Sequence, residues 1–226
     1  MLVALAGTNL VARRMSFDRL APHYCWMETF LAGGLLQRCR RRWLPEVRDS
    51  RRVLLVGEGN GRMIEACATA LPECHFTVLD QSEAMLVQAR RRWQSAGGRQ
   101  DVVFERADLR EWRPHGVGYD LVVTNFFLDC FNADELAGVI TNISAAASPR
   151  GRWLLADFSV PPSGWRRVRA RAVLALAYGY FRLTTGISAR HITAPDGLLG
   201  AEGFDLKRRA WFNHGLLHAD LWARCD

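Results

Sequence analysis

The sequence predicts an α/β fold: a seven-stranded, mostly parallel sheet with an antiparallel last strand and helices on both faces. Three observations predict it. Short apolar runs alternate with helical segments over short links, the pattern of right-handed strand–helix–strand crossovers. The runs are continuously apolar, as befits strands buried on both faces. Two final runs, FDLKRRAWF (204–212) and LLHADLWA (216–223), close around His214–Gly215 as an antiparallel hairpin at one edge.

The elements follow in order. RVLLVG (52–57) is the first strand, with a helix from about Arg62 to Leu71. HFTVLD (75–80) is the second, followed by a helix through SEAMLVQARRRW. DVVFERAD (101–108) is the third, and YDLVVTNFF (119–127) the fourth, with a helix over about Ala133–Ala147. GRWLLADF (151–158) is the fifth. PPSG (161–164) then breaks the pattern, and a long helical segment over about 165–185 and a short helix near 195–202 precede the last two strands. Residues 15–48 read as a helical cap and 1–14 as a flexible extension. The rest is one domain over 15–226, with 160–203 supplying substrate-side helices.

Composition narrows the function. The chain has 226 residues and a net charge of +7, and every basic residue except Lys207 is arginine. Its six cysteines form no C-x-x-C pair, which argues against zinc and against a disulfide framework. No metal is expected, and a reducing, cytoplasmic setting is. The apolar run at 2–12 is followed, not preceded, by its arginines, the reverse of a secretory signal. The later run Ala172–Phe181 is far shorter than the roughly 20 residues that cross a bilayer.

The chemistry concentrates in VLLVGEGNGR (53–62). Glycine permits positive φ and lets a ligand approach the backbone. The dinucleotide fingerprint G-x-G-x-x-G would need its third glycine at Arg62, so a pyrophosphate-binding loop is not met. The loop is G-x-G-x-G, and here it resembles motif I of the class I S-adenosylmethionine-dependent methyltransferases. Asp80, Asp108 and the NFFLDCF segment (125–131) fall where that family carries its other motifs. The resemblance implies the class I methyltransferase fold, S-adenosylmethionine as cofactor and S-adenosylhomocysteine as product. It implies that Gly57, Glu58, Gly59, Asn60 and Gly61 cradle the cofactor, with Asp80 and Gln81 at the ribose, Asp108 and Leu109 at the adenine, and Asn125 and Phe126 beside the methyl group. A carboxylate suits a buried pair of ribose hydroxyls because it accepts from both. The sequence departs from the family at Leu55, where motif I carries an acid; Glu58 is the residue expected to supply that charge.

The acceptor side is less specific. Methyl transfer depends on in-line positioning in a site that excludes water, helped by a base when the acceptor is a phenol or enolisable carbon. Asp129 is a candidate base, as are His23, His191 and His214, with His218 a further histidine considered. FDRLAPHYCWMETF is similar to the N-terminal segment of quinone- and lipid-type C-methyltransferases, which implies Tyr24 as a lid. Phe127, Tyr178, Phe181 and Arg182 complete the substrate candidates. The expected activity is C- or O-methylation of a small, largely apolar acceptor, quinone-, polyketide- or lipid-like. The alternatives are a non-catalytic cofactor-binding regulatory or scaffold protein, and an RNA-directed methyltransferase. Nucleic acid is disfavoured because no recognised RNA or DNA module is present and the Asn125–Leu128 segment lacks the prolines of amino methylases. The arginine-rich segment 165–183 suggests peripheral contact with the inner membrane surface, or with a phosphorylated or carboxylated substrate.

Overall fold

In the computed structural model, residues 34–99, 101–114, 118–185 and 192–225 are described, the side chains of 180–185 excepted. The 1–14 extension and the cap up to residue 33 lie outside them.

Seven strands form one sheet: β1 (Arg52–Val56), β2 (His75–Asp80), β3 (Val102–Arg106), β4 (Tyr119–Asn125), β5 (Ala147–Phe158), β6 (Phe204–Phe212) and β7 (Leu217–Arg224). Their order is β3-β2-β1-β4-β5-β7-β6. β1 to β5 run parallel, β7 is antiparallel to β5, and β6 is antiparallel to β7. The chain order reverses between β1 and β4, so the loops leaving these two strands flank the crevice where open α/β sheets bind ligands.

The strands form where the sequence is continuously apolar. Val53, Leu54, Leu55 and Val56 are all buried, because β1 is sandwiched between β2 and β4 and covered on both faces. β5 begins at Ala147, four residues ahead of the expected Gly151, because the chain pairs with β4 as soon as the preceding helix ends. β6 lies at the edge, where Lys207, Arg208 and a register shift after Leu206 blunt it against pairing with another chain.

The helices are α1 (Gly34–Arg40), α2 (Arg62–Ala70), α3 (Glu83–Ser95), α4 (Ala133–Ala146), α5 (Gly164–Thr185) and α6 (Asp196–Ala201). Ser82 caps α3 by accepting from Met85 N–H at 3.2 Å. Asn132 and Glu135 form a reciprocal capping box on α4. α1 and the turn after it are tied to β7, through Cys39 Sγ to the His218 carbonyl (3.2 Å) and Trp43 Nε1 to the Ala219 carbonyl (2.9 Å).

Gly61 precedes α2 at φ 87°, and a Cβ there would lie 2.5 Å from the Ala89 Cα of α3. Gly97 has a similar φ of 73° but open space around it. Gly61→Ala should therefore cost roughly 2–4 kcal/mol, backbone strain plus the clash between helices, while Gly97→Ala costs about 1 kcal/mol from strain alone. Denaturant unfolding of the two variants checks the difference; equal losses would mean that α2 and α3 separate freely.

Candidate active site

The β1–α2 loop is built on three glycines in left-handed conformation, Gly57, Gly59 and Gly61, at φ 63°, 61° and 87°. Each serves a different need. A side chain at Gly57 would collide with the ring of Phe127. The Gly59 N–H donates to Asp80 Oδ2 at 3.0 Å, tying the loop to the end of β2. Gly61 allows the close approach of α2 to α3.

Glu58 completes the loop. Its Oε1 accepts from the N–H groups of Met63 and Ile64 at 2.7 and 2.8 Å. The residue at the N-cap, Gly61, has no side chain to do this, so Glu58 caps α2 from three residues upstream. The consequence is electrostatic. In dinucleotide folds the first N–H groups of this helix hold a phosphate; here they already hold a carboxyl group. Burial raises the Glu58 pKa to about 7, opposed by the two backbone bonds and by Arg40. A cationic ligand nearby would favour the carboxylate, and an anionic one would work against it.

A cleft opens over this loop, lined by Gly57, Gly59, Asp80, Gln81, Met85, Ala107, Asp108, Leu109, Phe126, Phe127, Cys130 and Phe131. Seven of the residues expected at the cofactor thus meet around one space: Gly57, Gly59, Asp80, Gln81, Asp108, Leu109 and Phe126. Asp80 is buried, and its Oδ1 accepts from the Ser82 N–H at 2.9 Å. Asp108 is gripped by Arg110, with Nε to Oδ1 at 2.9 Å and Nη2 to Oδ2 at 2.6 Å. Arg110 reaches on to Glu135 of the α4 capping box at 3.4 Å, so the Asp108 carboxylate is fixed to the helix after β4.

Four expected cofactor residues do not line the cleft. Glu58 is turned onto α2 and Gly61 against α3. Asn60 is buried, its carbonyl accepts from Arg92, and its Nδ2 makes no hydrogen bond among the described residues. Asn125 ends β4 in register with Ala156 of β5.

The other wall is the turn after β4. Phe126 has φ 53°, a costly conformation for an aromatic residue, held by its N–H to the Ala156 carbonyl at 2.7 Å. Its ring meets Phe158 (5.2 Å between centroids) and the buried Arg40 of α1, whose guanidinium lies 5.0 Å from the ring centre. Phe127 packs edge-on against Phe131 at 5.1 Å. Asp129 follows in the short 3-10 turn Leu128–Cys130 and is buried. The Tyr178 hydroxyl of α5 donates to Asp129 Oδ2 at 3.0 Å. The second partner of Asp129 is the Asp157 carboxyl at the end of β5, also buried, and the two side chains share a hydrogen bond. Burial raises both pKa values, Asp157 more strongly because the charge of Asp129 adds to it. Two adjacent carboxyls away from water hold one proton between them.

Asp157, Arg40, Arg209 and Asp220 were not among the sequence candidates, and His218, which was, lies among the last two on β6 and β7. Asp220 is fully buried and bonded by Arg209 through Nε (2.8 Å) and Nη2 (2.7 Å), and by His218 Nδ1 at 3.0 Å. His218 lies in register with Asp157 on one side and Trp211 on the other. His214 is exposed at the β6–β7 turn, with its ring 5.4 Å from that of Trp165, remote in contact from the cleft. His23, His191 and Tyr24 lie outside the described residues, as do the side chains of Phe181 and Arg182. Among the described residues no group of three or more His, Cys, Asp or Glu could hold a metal ion.

Comparison with known proteins agrees with this geometry. Residues 53–151 match the family model of a methyltransferase domain. Trans-aconitate 2-methyltransferase of Variovorax paradoxus (strain S110) is 33% identical over 108 residues, 48% of this chain and 38% of that protein. Ribosomal RNA large subunit methyltransferase G of Pseudomonas entomophila (strain L48) is 38% identical over 65 residues, 29% of this chain and 17% of that protein. Aclacinomycin 10-hydroxylase RdmB of Streptomyces purpurascens is 31% identical over 107 residues, 47% and 28% of the two chains. Among solved structures, mitomycin 7-O-methyltransferase MmcR superposes with a TM-score of 0.67 at 18% identity, over 95% of this chain and 62% of that one. Magnesium protoporphyrin IX methyltransferase (ChlM) of Synechocystis PCC 6803, with S-adenosylhomocysteine bound, gives 0.58 at 21%, over 98% and 90%. The fold is that of the class I S-adenosylmethionine-dependent methyltransferases, and S-adenosylmethionine is the cofactor expected. This chain spans well under half the length of these curated relatives.

The raised Glu58 pKa predicts a pH dependence. Between pH 4.5 and about 7 the folded protein holds a proton that the unfolded chain has released, so stability falls as pH rises across this window and levels off above it. The loss should be about 1–3 kcal/mol. Glu58→Gln keeps an acceptor oxygen for Met63 and Ile64 and should remove that slope. Denaturant titrations at both ends of the window check it; parallel slopes in the two proteins would refute the assignment.

Proposed function

We propose that this protein transfers the methyl group of S-adenosylmethionine to a carbon or oxygen of a small, largely apolar acceptor, quinone-, polyketide- or phenol-like. The observation that carries the reading is Glu58 on the first free N–H groups of α2. It occupies the helix end that would otherwise hold a phosphate, so the cleft suits a ligand with no phosphate. The residues around the cleft fit such a ligand. Gly57 and Gly59 leave the floor without side chains, the buried Asp80 carboxylate would accept from a pair of ribose hydroxyls, and Asp108, held by Arg110, would meet the base. When bound, the cofactor supplies a methyl group activated on a sulfonium.

This chain's own residues would do the rest. The rings of Phe126, Phe127 and Phe131 form an apolar wall that excludes water and seats a flat acceptor. The Asp129–Asp157 pair holds one proton and one negative charge beside that wall. An acceptor hydroxyl gives its proton to Asp129 as its oxygen takes the methyl group, and the pair then carries both protons until one escapes to solvent. Tyr178 donates to Asp129 and keeps its carboxyl aimed. The natural-product methyltransferase among the structural neighbours supports an acceptor of this class, and the free thiols of Cys39, Cys67, Cys74 and Cys130 suit a cytoplasmic setting. The match to a protein named as a hydroxylase gives a second reading: the same cofactor cleft serving a different reaction at the acceptor.

Calorimetric titration tests the first step. Wild-type protein should bind S-adenosylmethionine and S-adenosylhomocysteine, and Asp80→Ala should weaken both by roughly 10- to 100-fold, the loss of hydrogen bonds to a charged acceptor. Absence of binding by folded protein at about 1 mM ligand, beyond the usual range of enzyme KM values, would sink the proposal. Turnover on a panel of hydroxylated quinones and phenols tests the second. Asp129→Asn should lower kcat by roughly 10²- to 10⁴-fold while changing cofactor affinity little. Unchanged turnover would remove Asp129 as the base.

A further inference from the structure

α5 is apolar on two opposite faces. Ala170, Leu174 and Tyr178, spaced by four, are buried against the rest of the protein, and Tyr178 reaches Asp129. On the far side, Trp165, Val168, Ala172 and Leu176 follow at intervals of three and four, one stripe of a helix. Trp165 is 60% exposed, Val168 71% and Leu176 79%, and Ala172 is exposed with them. A solvated helix face carries polar residues in such places; a continuous exposed stripe marks a surface that meets something apolar.

The flanks say what that is. Arg166 lies on one side of the stripe and Arg171 on the other, both exposed, and the Arg166 guanidinium sits 5.9 Å from the Trp165 ring centre. From residue 158 to residue 195 the chain has no Asp or Glu, and it has arginines at 166, 167, 169, 171, 182 and 190. Four arginines at the start of a helix work against its macrodipole, so helix stability does not account for them. Two are used inside the protein: Arg167 donates to the Pro162 carbonyl, and Arg169 donates to Asn213, fixing the helix start to the β6–β7 turn. Among the described residues no ion pair to a carboxylate involves Arg166 or Arg171. No helix among the described residues is long and apolar enough to cross a bilayer. An exposed Trp-led stripe between arginines is the chemistry of a helix lying in the headgroup region of an anionic membrane.

We propose that the outer face of α5, with Trp165, Val168 and Leu176 entering the headgroup layer and Arg166 and Arg171 meeting anionic lipid, seats this protein on a negatively charged membrane surface. The helix then lies between the membrane and the acceptor side of the cleft, with Tyr178 on its inner face. A sparingly soluble acceptor could pass from bilayer to site without crossing water. The surface does not depend on the methyltransferase reading, so cofactor calorimetry on the same preparations separates failure of one from failure of the other.

The test is flotation of the full chain with vesicles of phosphatidylcholine alone or mixed with phosphatidylglycerol. Binding is expected only to the mixed vesicles, weakening about tenfold or more when salt rises from about 0.1 M to about 0.5 M. Trp165→Ser with Leu176→Gln, and separately Arg166→Gln with Arg171→Gln, should each reduce binding about tenfold, with cofactor affinity unchanged. No binding to the mixed vesicles, or equal binding to both kinds, would overturn the proposal. So would light scattering that shows a lipid-free dimer which the Trp165→Ser, Leu176→Gln variant converts to monomer, since the face would then belong to a second copy.

Discussion

The hydrogen bonds from Met63 and Ile64 to Glu58 are the interaction on which the site depends. Three left-handed glycines turn the chain sharply out of β1, and the last of them leaves α2 without a side chain at its N-cap. Unpaired, the first N–H groups of α2 would form a generic anion site, and their desolvation would weaken the helix. Glu58 satisfies two of them and reverses the local charge preference. The loop backbone is then free to lean on Asp80 through Gly59, so the acid at the end of β2 is oriented by the loop it serves. The buried residues of β1, Val53–Val56, can remain wholly apolar as a result. Leu55, where the family carries an acid, is packed between β2 and β4 in the middle of the sheet, and a carboxyl there would need a partner that neither neighbouring strand offers.

The corner that holds Asp129 and Asp157 depends on the antiparallel insertion of β7. A parallel strand beside β5 would bring its own crossover helix to this end of the sheet. β7 brings instead the start of a strand, and places His218 in register with Asp157. Two strands over, Arg209 on the edge strand reaches back to Asp220, and also pairs with Asp196, so the buried acid beside His218 has a cation partner. Asp157 has no such cation. It accepts from the Phe158 N–H at 2.8 Å and shares a hydrogen bond with the Asp129 carboxyl. The difference between the two acids is therefore one of partners, arginine in one case and a second carboxyl in the other.

Much of this was legible in the sequence, for a physical reason. Buried parallel strands must be apolar on both faces, so their runs stand out, and the five strands, the closing hairpin and the long helix fall close to where the letters place them. Most of the cleft lining was legible because those residues sit at fixed offsets from strand ends. The rest was not, because it depends on pairs distant in the chain. Tyr178 meets Asp129 across 49 residues, and Asp157 reads as the unremarkable end of GRWLLADF until β4's turn is folded beside it. Gly61 reads as a ligand glycine, and only the packing of α2 on α3 shows that its missing side chain makes room for Ala89. Glu58 reads as a ligand-facing acid because a motif gives its spacing but not the direction in which its carboxyl turns.

The arginines of α5 show how charge in a sequence acquires meaning only with geometry. Counted in the sequence, they are a basic cluster in an arginine-rich chain. On the helix they divide by task. Arg167 and Arg169 spend their donors on the Pro162 carbonyl and on Asn213, holding the helix start to the turn that connects β6 to β7. Arg166 and Arg171 flank the outward stripe. A helix anchored at its first turn by two cations, buried on one side through Tyr178 and bare on the other, is fixed in rotation. Rolling it to hide Trp165, Val168 and Leu176 would pull Leu174 and Tyr178 out of the core and break the bond that aims Asp129. The bare face is thus the cost of the buried one, and the site can remain assembled only while that face stays turned outward.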